Sequence, residues 1–134
     1  MKKGFTLLEL IIVIVVVGIL ATLGMQEYKW VLERGRSAEA RANLSLLRRL
    51  QRSYFVENDK YATTSLFITD LGLPAGTDSN CNTSNEYYFK YSCGSNGTCS
   101  AQRCTSGGKP PVGPSQYSIS LSIDGVLTGF FYSY

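Results

Sequence analysis

KKGFTLLELIIVIVVVGILATLGM, residues 2–25, sets a single acid inside an apolar run. From Phe5 to Met25 nearly every side chain is apolar, and no Lys, Arg or His interrupts them. At about 1.5 Å rise per residue, a helix of this length covers roughly 30 Å, the hydrocarbon thickness of a bilayer. Lys2 and Lys3 stand just before it, where a basic flank stays on the inner side of the membrane. A cleaved secretory signal shares the basic start, but its apolar region is shorter and leads into a small-residue cleavage site. The run therefore reads as a membrane-spanning helix. Glu9 then needs a reason, because a carboxylate near one end of such a segment costs on the order of a few kcal/mol without a partner.

Beyond the run the pattern stays helical. In EYKWVLERGRSAEARANLSLLRRLQRSYFVEN, residues 27–58, Ala40, Leu44, Leu47, Leu50 and Tyr54 recur at spacings of three and four, the mark of one apolar face. Glu33, Arg34, Arg36, Glu39, Arg41, Arg48, Arg49 and Arg52 are assigned to the other faces. Such a basic cluster can serve acidic lipid or DNA; the reading preferred here is a solvated face with ion pairs between subunits. The spacing predicts one helix from Phe5 to about Glu57, with Asn58-Asp59 as the turn that ends it.

After Tyr61 the chain turns to Ser, Thr, Asn, Gly and Pro. A short helical turn is expected near Ser65 to Leu71, inside a loop that runs on to about residue 85. EYYFKYS, residues 86–92, reads as a strand, and GSNGTCSAQRCTSGGKPPVGPS, residues 94–115, as irregular surface loop. YSISLSI-DG-VLTGFFYSY, residues 117–134, reads as a hairpin closed by a two-residue Asp124-Gly125 turn. That turn sets Ile123 opposite Val126, Leu121 opposite Thr128, Ile119 opposite Phe130 and Tyr117 opposite Tyr132, with Ser118, Ser120 and Ser122 facing out. The fold class that follows is α+β: a long N-terminal helix whose second half packs against a small antiparallel sheet.

Composition narrows function. The 134 residues carry a formal net charge of +3, of which Lys2 and Lys3 supply two, so the rest is nearly neutral and no nucleic acid partner is required. There is no histidine, which removes the commonest general base and metal ligand. Asp70, Asp78, Glu86 and Asp124 are scattered over turns, and no G-x-S-x-G turn or phosphate loop occurs, so neither catalysis nor a cofactor is expected. Cys81, Cys93, Cys99 and Cys104 lack the paired C-x-x-C spacing of zinc sites. Two disulfides formed in an oxidising compartment are expected instead, with three connectivities open. One sets Cys81 with Cys93 and Cys99 with Cys104; a nested pairing is equally reasonable.

KGFTLLEL, fused to the apolar run with Gly18 within it, resembles the leader junction of type IV pilins and of the pseudopilins of type II secretion systems. The close match covers Lys2 to Ala21. The resemblance implies that a prepilin peptidase cuts after Gly4 and methylates the new terminal Phe5. It also implies that Glu9 pairs with the terminal amine of a neighbouring subunit during assembly; a pair with the chain's own Phe5 amine is the alternative, since the two are four residues apart. Gln26 stands about where many pilins carry a helix-bending proline, which leaves Gly18 and Gly24 either as points of flexibility or as sites of close helix packing.

The expected organisation is a leader at 1–4, a transmembrane and filament-core segment at 5–25, the amphipathic half of the same helix at 26–57, and a head with a disulfide-rich loop at 58–134. The resemblance implies a structural subunit of a type IV pilus, serving adhesion, twitching motility or DNA uptake. The alternatives are a pseudopilin or a minor pilin that primes assembly. The major pseudopilin's calcium site draws on acids in its C-terminal loops, where this chain has Asp124 alone. Implied partners are other copies of the chain, the prepilin peptidase, an inner-membrane assembly platform and the membrane itself. The implied location is the inner membrane before assembly and the cell surface afterwards.

Overall fold

The structure, a computed structural model, describes residues 4–63, 66–78, 80–81, 87–107 and 117–129, with Gln26 known by its backbone alone. Helix α1 runs Leu7–Asn58, 52 residues without a break, or about 78 Å. It starts at Leu7 rather than at Phe5 because Thr6 is its N-cap, in extended conformation, with Oγ1 accepting the Glu9 N–H at 3.3 Å. It ends at Asn58, one residue later than expected, where the capping Asp59 turns left-handed and donates its N–H to the Phe55 carbonyl at 2.9 Å. Helix α2, Leu66–Asp70, is the predicted short turn, and it buries Ile68.

Strands β1 (Phe89–Cys93), β2 (Cys99–Arg103), β3 (Ser118–Leu121) and β4 (Leu127–Thr128) form one antiparallel sheet in sequence order. β2 corrects the expectation of an irregular loop over 94–115. Its residues alternate buried and half-buried, with Cys99, Ala101 and Arg103 facing inward. CSAQR hides that alternation because its inward positions hold a cysteine, an alanine and an arginine rather than aliphatic residues.

The last hairpin corrects a second expectation. Leu121 pairs with Leu127 and Ser120 with Thr128, one residue out of the predicted register. A two-residue turn of the I′ type needs positive φ at both central residues, and only Gly125, at +96°, has it. The loop instead comprises Ile123, Asp124 and Gly125: Gly125 N–H bonds to Ser122 O and Ser122 N–H to Val126 O, both at 3.0 Å. One residue of slip exchanges the faces of β4. Leu127 packs on the core while Val126 and Thr128 are exposed. The expected partners Phe130 and Tyr132 lie outside the described residues. The β1–β2 hairpin uses the same device, with Gly97 at φ +76° donating to Gly94 O and Gly94 donating to Thr98 O.

The core forms between the sheet and the second half of α1. Ala40, Leu44 and Leu47 meet Phe89, Tyr91, Ala101, Ile119 and Leu121. Leu50 and Tyr54, predicted on the same face, are only half-buried. At the outer edge the segment around Ala75 pairs with Tyr91, whose N–H bonds to Pro74 O at 2.8 Å, so β1 is not left open there.

Candidate functional site

Gly4 and Phe5 lie outside the helix, just before the Thr6 cap, and Phe5 is exposed. Phe5 is thus outside the helix, so the four-residue helical spacing that would juxtapose it with Glu9 is absent here. Glu9 occupies the third helical position, where an acid lies favourably against the positive end of the helix dipole. Thr6 and Glu9 together have the T-x-x-E pattern of a helix start, a local role the hydropathy reading missed. From Glu9 onward the helix offers solvent a continuous apolar cylinder, with Leu10, Ile14, Val17 and Leu20 all exposed. This helix is long and apolar enough to cross a membrane, and its most apolar stretch is not buried by the rest of the chain. α1 continues without a break through Gly18 and Gly24, and among the described residues no other part of the chain approaches within 4 Å of where a side chain would stand at either.

Where the bare cylinder ends, the head begins, and the junction is ionic. Glu33, assigned to a solvated face by its type, is 2 % exposed. It leads the buried row Glu33, Ser37, Ala40, Leu44, Leu47, Gln51, spaced by fours and threes. Arg103, inward-facing on β2 and fully buried, donates Nε to Glu33 Oε1 at 2.5 Å and Nη2 to Oε2 at 3.2 Å. Arg36 Nη1 donates to Oε2 at 3.0 Å and the Tyr117 hydroxyl to Oε1 at 2.9 Å. Arg103 Nη1 also reaches the carbonyls of Tyr88 and Cys104, at 2.9 and 3.1 Å. The guanidinium groups of Arg36 and Arg103 lie 4.5 and 5.3 Å from the Tyr88 ring centre.

Burial alone would push the Glu33 carboxyl up. The hydrogen bond and charge of Arg103, with Tyr117 and Arg36 behind them, outweigh it and hold the group below its ordinary 4.5. Burial, aided by the facing Glu33 charge, raises the Tyr117 phenol well above 10. Burial likewise takes Tyr91 to about 12, against its hydrogen bond from Asn43 at 2.9 Å. At the far end of the row Gln51 brackets Ala62, donating to its carbonyl at 2.6 Å and accepting its N–H at 2.9 Å. The helix–sheet interface thus has a satisfied polar group at each end and an apolar middle.

The cysteines pair Cys81–Cys104 and Cys93–Cys99, the nested connectivity. Cys93 and Cys99 are direct cross-strand partners closing the β1–β2 hairpin. Cys81–Cys104 fastens the preceding loop to the end of β2, beside the Cys81 N–H bond to Ser106 O at 2.9 Å.

With this geometry in view, two comparisons with known proteins bear on the class of the chain. Residues 1–25 match the family model described as the prokaryotic N-terminal methylation motif. That motif, the shared identity below and the helix-on-sheet fold support a type IV pilin family. Among curated proteins the chain is similar to the type IV major pilin protein PilA of Myxococcus xanthus (strain DK1622), 37% identical over 71 residues. The matched stretch is 53% of this chain and 31% of that relative, so the chain spans about a third of its length. No solved structure matches significantly.

Proposed function

We propose that the chain is a structural subunit of a type IV pilus, polymerised through α1 into a filament at the cell surface. The observation that supports this best is an apolar helix, uncovered by its own head, that opens with the methylation motif. On this reading the prepilin peptidase cuts between Gly4 and Phe5 and methylates Phe5, and the freed helix waits in the inner membrane for an assembly platform to draw it into a growing filament. Cleavage creates a cation where the sequence has none. Glu9, near the same end of the helix, is the acid that receives the terminal amine of an adjoining copy, which offsets the desolvation of both charges. Gly18 and Gly24 are the positions at which the helix yields to its neighbours. The relative's description as a major pilin favours this role over a pseudopilin's.

Glu9→Ala tests the reading. Membrane insertion should persist or improve, because an acid leaves the apolar segment, and mass spectrometry should still find a chain beginning at methylated Phe5. Filaments should be absent or scarce while mature subunit accumulates in the membrane. Normal filament numbers at matched subunit levels would show that Glu9 does not direct assembly, and an uncut Met1 chain in native filaments would overturn the processing step.

A further inference from the structure

The side of α1 turned away from the sheet carries small residues at helical spacing: Gly35, Ala38, Ala42 and Ser45 are all exposed. Small side chains let another backbone approach closely, but they do not name the visitor. The flanks of this strip do. On one side Arg34 and Arg52 stand 18 residues apart, five full turns, and therefore on one line along the helix. On the other side Glu39 and Glu57 stand 18 residues apart as well, on a second line. Arg34, Glu39 and Glu57 are exposed and make no hydrogen bond or ion pair through their side chains among the described residues. Arg52 is exposed and donates one bond, to the Ile123 carbonyl at 3.1 Å.

We infer that this strip is where a second copy of the chain docks, its acidic line set against the arginine line of the first. The equal spacing lets parallel copies, shifted along the helix axis, match both pairs at once. The two flanks have opposite sign, so the contact joins different faces of the two copies. Such a contact does not close on itself and propagates as a filament. It also lies further along the same helix than the apolar surface from Phe5 to Met25 that the head leaves uncovered. This inference rests on the pilus reading and extends it to the amphipathic half of α1, where charge sets the register that an apolar surface leaves unspecified.

The test is a charge swap in the full chain in its native cell. Arg34→Glu and Glu39→Arg, each alone, should cut sheared filament by more than about tenfold, since each places like charges together. Thermal melting of the detergent-solubilised subunit should be unchanged in both, because neither side chain bonds to the head. The double variant, which restores an opposite pair at every contact, should recover filament to within about threefold of the unmodified chain on the same grounds. Wild-type filament from either single variant, or a double no better than the worse single, would overturn the inference. Glu9→Ala run alongside separates the two levels: loss of filament there, with both charge variants normal, removes the docking strip and leaves the pilus reading standing.

Discussion

From Phe5 to Leu32 the helix buries almost nothing against its own chain, with Trp30 half-buried and every other described side chain exposed. From Glu33 onward one side of the same helix is sealed under the sheet. The two halves follow one backbone geometry and differ in what stabilises them. The second half is held by packing within the chain, as amphipathic helices usually are. Before Trp30 the described residues of the first half have no such packing. On the proposed function that half takes its stability from a surrounding medium, lipid before assembly and neighbouring helices after it. A segment that must exchange one apolar environment for another cannot also be committed to its own head. Glu33 marks the change, since it is the first fully buried residue of the helix and holds the ion pair to the sheet.

The comparison is sharpened most by attacking that boundary. Arg103→Ala leaves the Glu33 carboxylate buried without its main partner and should destabilise the head by about 3–5 kcal/mol, read as thermal or denaturant unfolding of the detergent-solubilised subunit. The pH dependence carries a defined sign. Glu33 titrates lower in the folded head than in the unfolded chain, so the unfolded state binds more protons between the two values. Its stabilisation is therefore complete above pH 4.5 and is lost as pH falls through the folded value. Glu33→Gln should flatten that acid limb. An unchanged limb would assign the acid sensitivity to other carboxylates, such as Asp78, which Lys90 holds low.

A smaller effect separates the two disulfides inside the head. Cys81–Cys104 spans 23 residues of sequence and Cys93–Cys99 spans 6. On the chain-entropy account the longer loop contributes about 3 kcal/mol and the shorter about 2 kcal/mol. Paired Cys→Ala replacement should follow that order. The reverse order would mean that closing the β1–β2 hairpin matters more than tethering the loop before it. Folded, unreduced protein should show no free thiol.

How much of this was legible beforehand depends on which physical signal each element carries. The helix was legible over nearly its whole length, from an unbroken apolar run followed by apolar residues at helical spacing, and Asn58-Asp59 signalled its end. The Thr6 cap, which moves its start from Phe5 to Leu7, went unread. β2 was not, because its inward positions are filled by a disulfide, a methyl group and an ion pair rather than by hydrophobes. Its alternation appears only once Arg103 is known to face Glu33. The same omission placed Glu33 in water: a charged residue was sorted by type when its position in the row with Ser37, Ala40 and Leu44 was the better guide. The Asp-Gly pair announced the last turn correctly, yet the three-residue loop with Gly125 left-handed gives a register one residue away, and the dipeptide alone does not distinguish the two. In the candidate site, Gly4, Phe5 and Glu9 were visible as a motif, whereas the anchor that begins the head required the tertiary fold.

The smallest expected effect is the one that most directly tries to break the contrast. Leu44 is fully buried between helix and sheet, so Leu44→Ala removes packed atoms and opens a cavity, with an expected loss of about 2–5 kcal/mol in head stability. Val15 is an apolar residue of the same helix, but it is exposed and lies well before the first contact with the sheet. Val15→Ala should leave head unfolding in detergent within about 0.5 kcal/mol of the unmodified chain, as for any substitution that touches no packed group. The lower β-branching of alanine should if anything favour the helix slightly. Should Val15→Ala lower head stability by as much as a core truncation, the bare half of α1 would be coupled to the sheet through the helix itself, and the division at Glu33 would fail. If head unfolding is unmoved while filament yield falls, Val15 acts only after the subunit has folded, in contacts that its own chain does not provide.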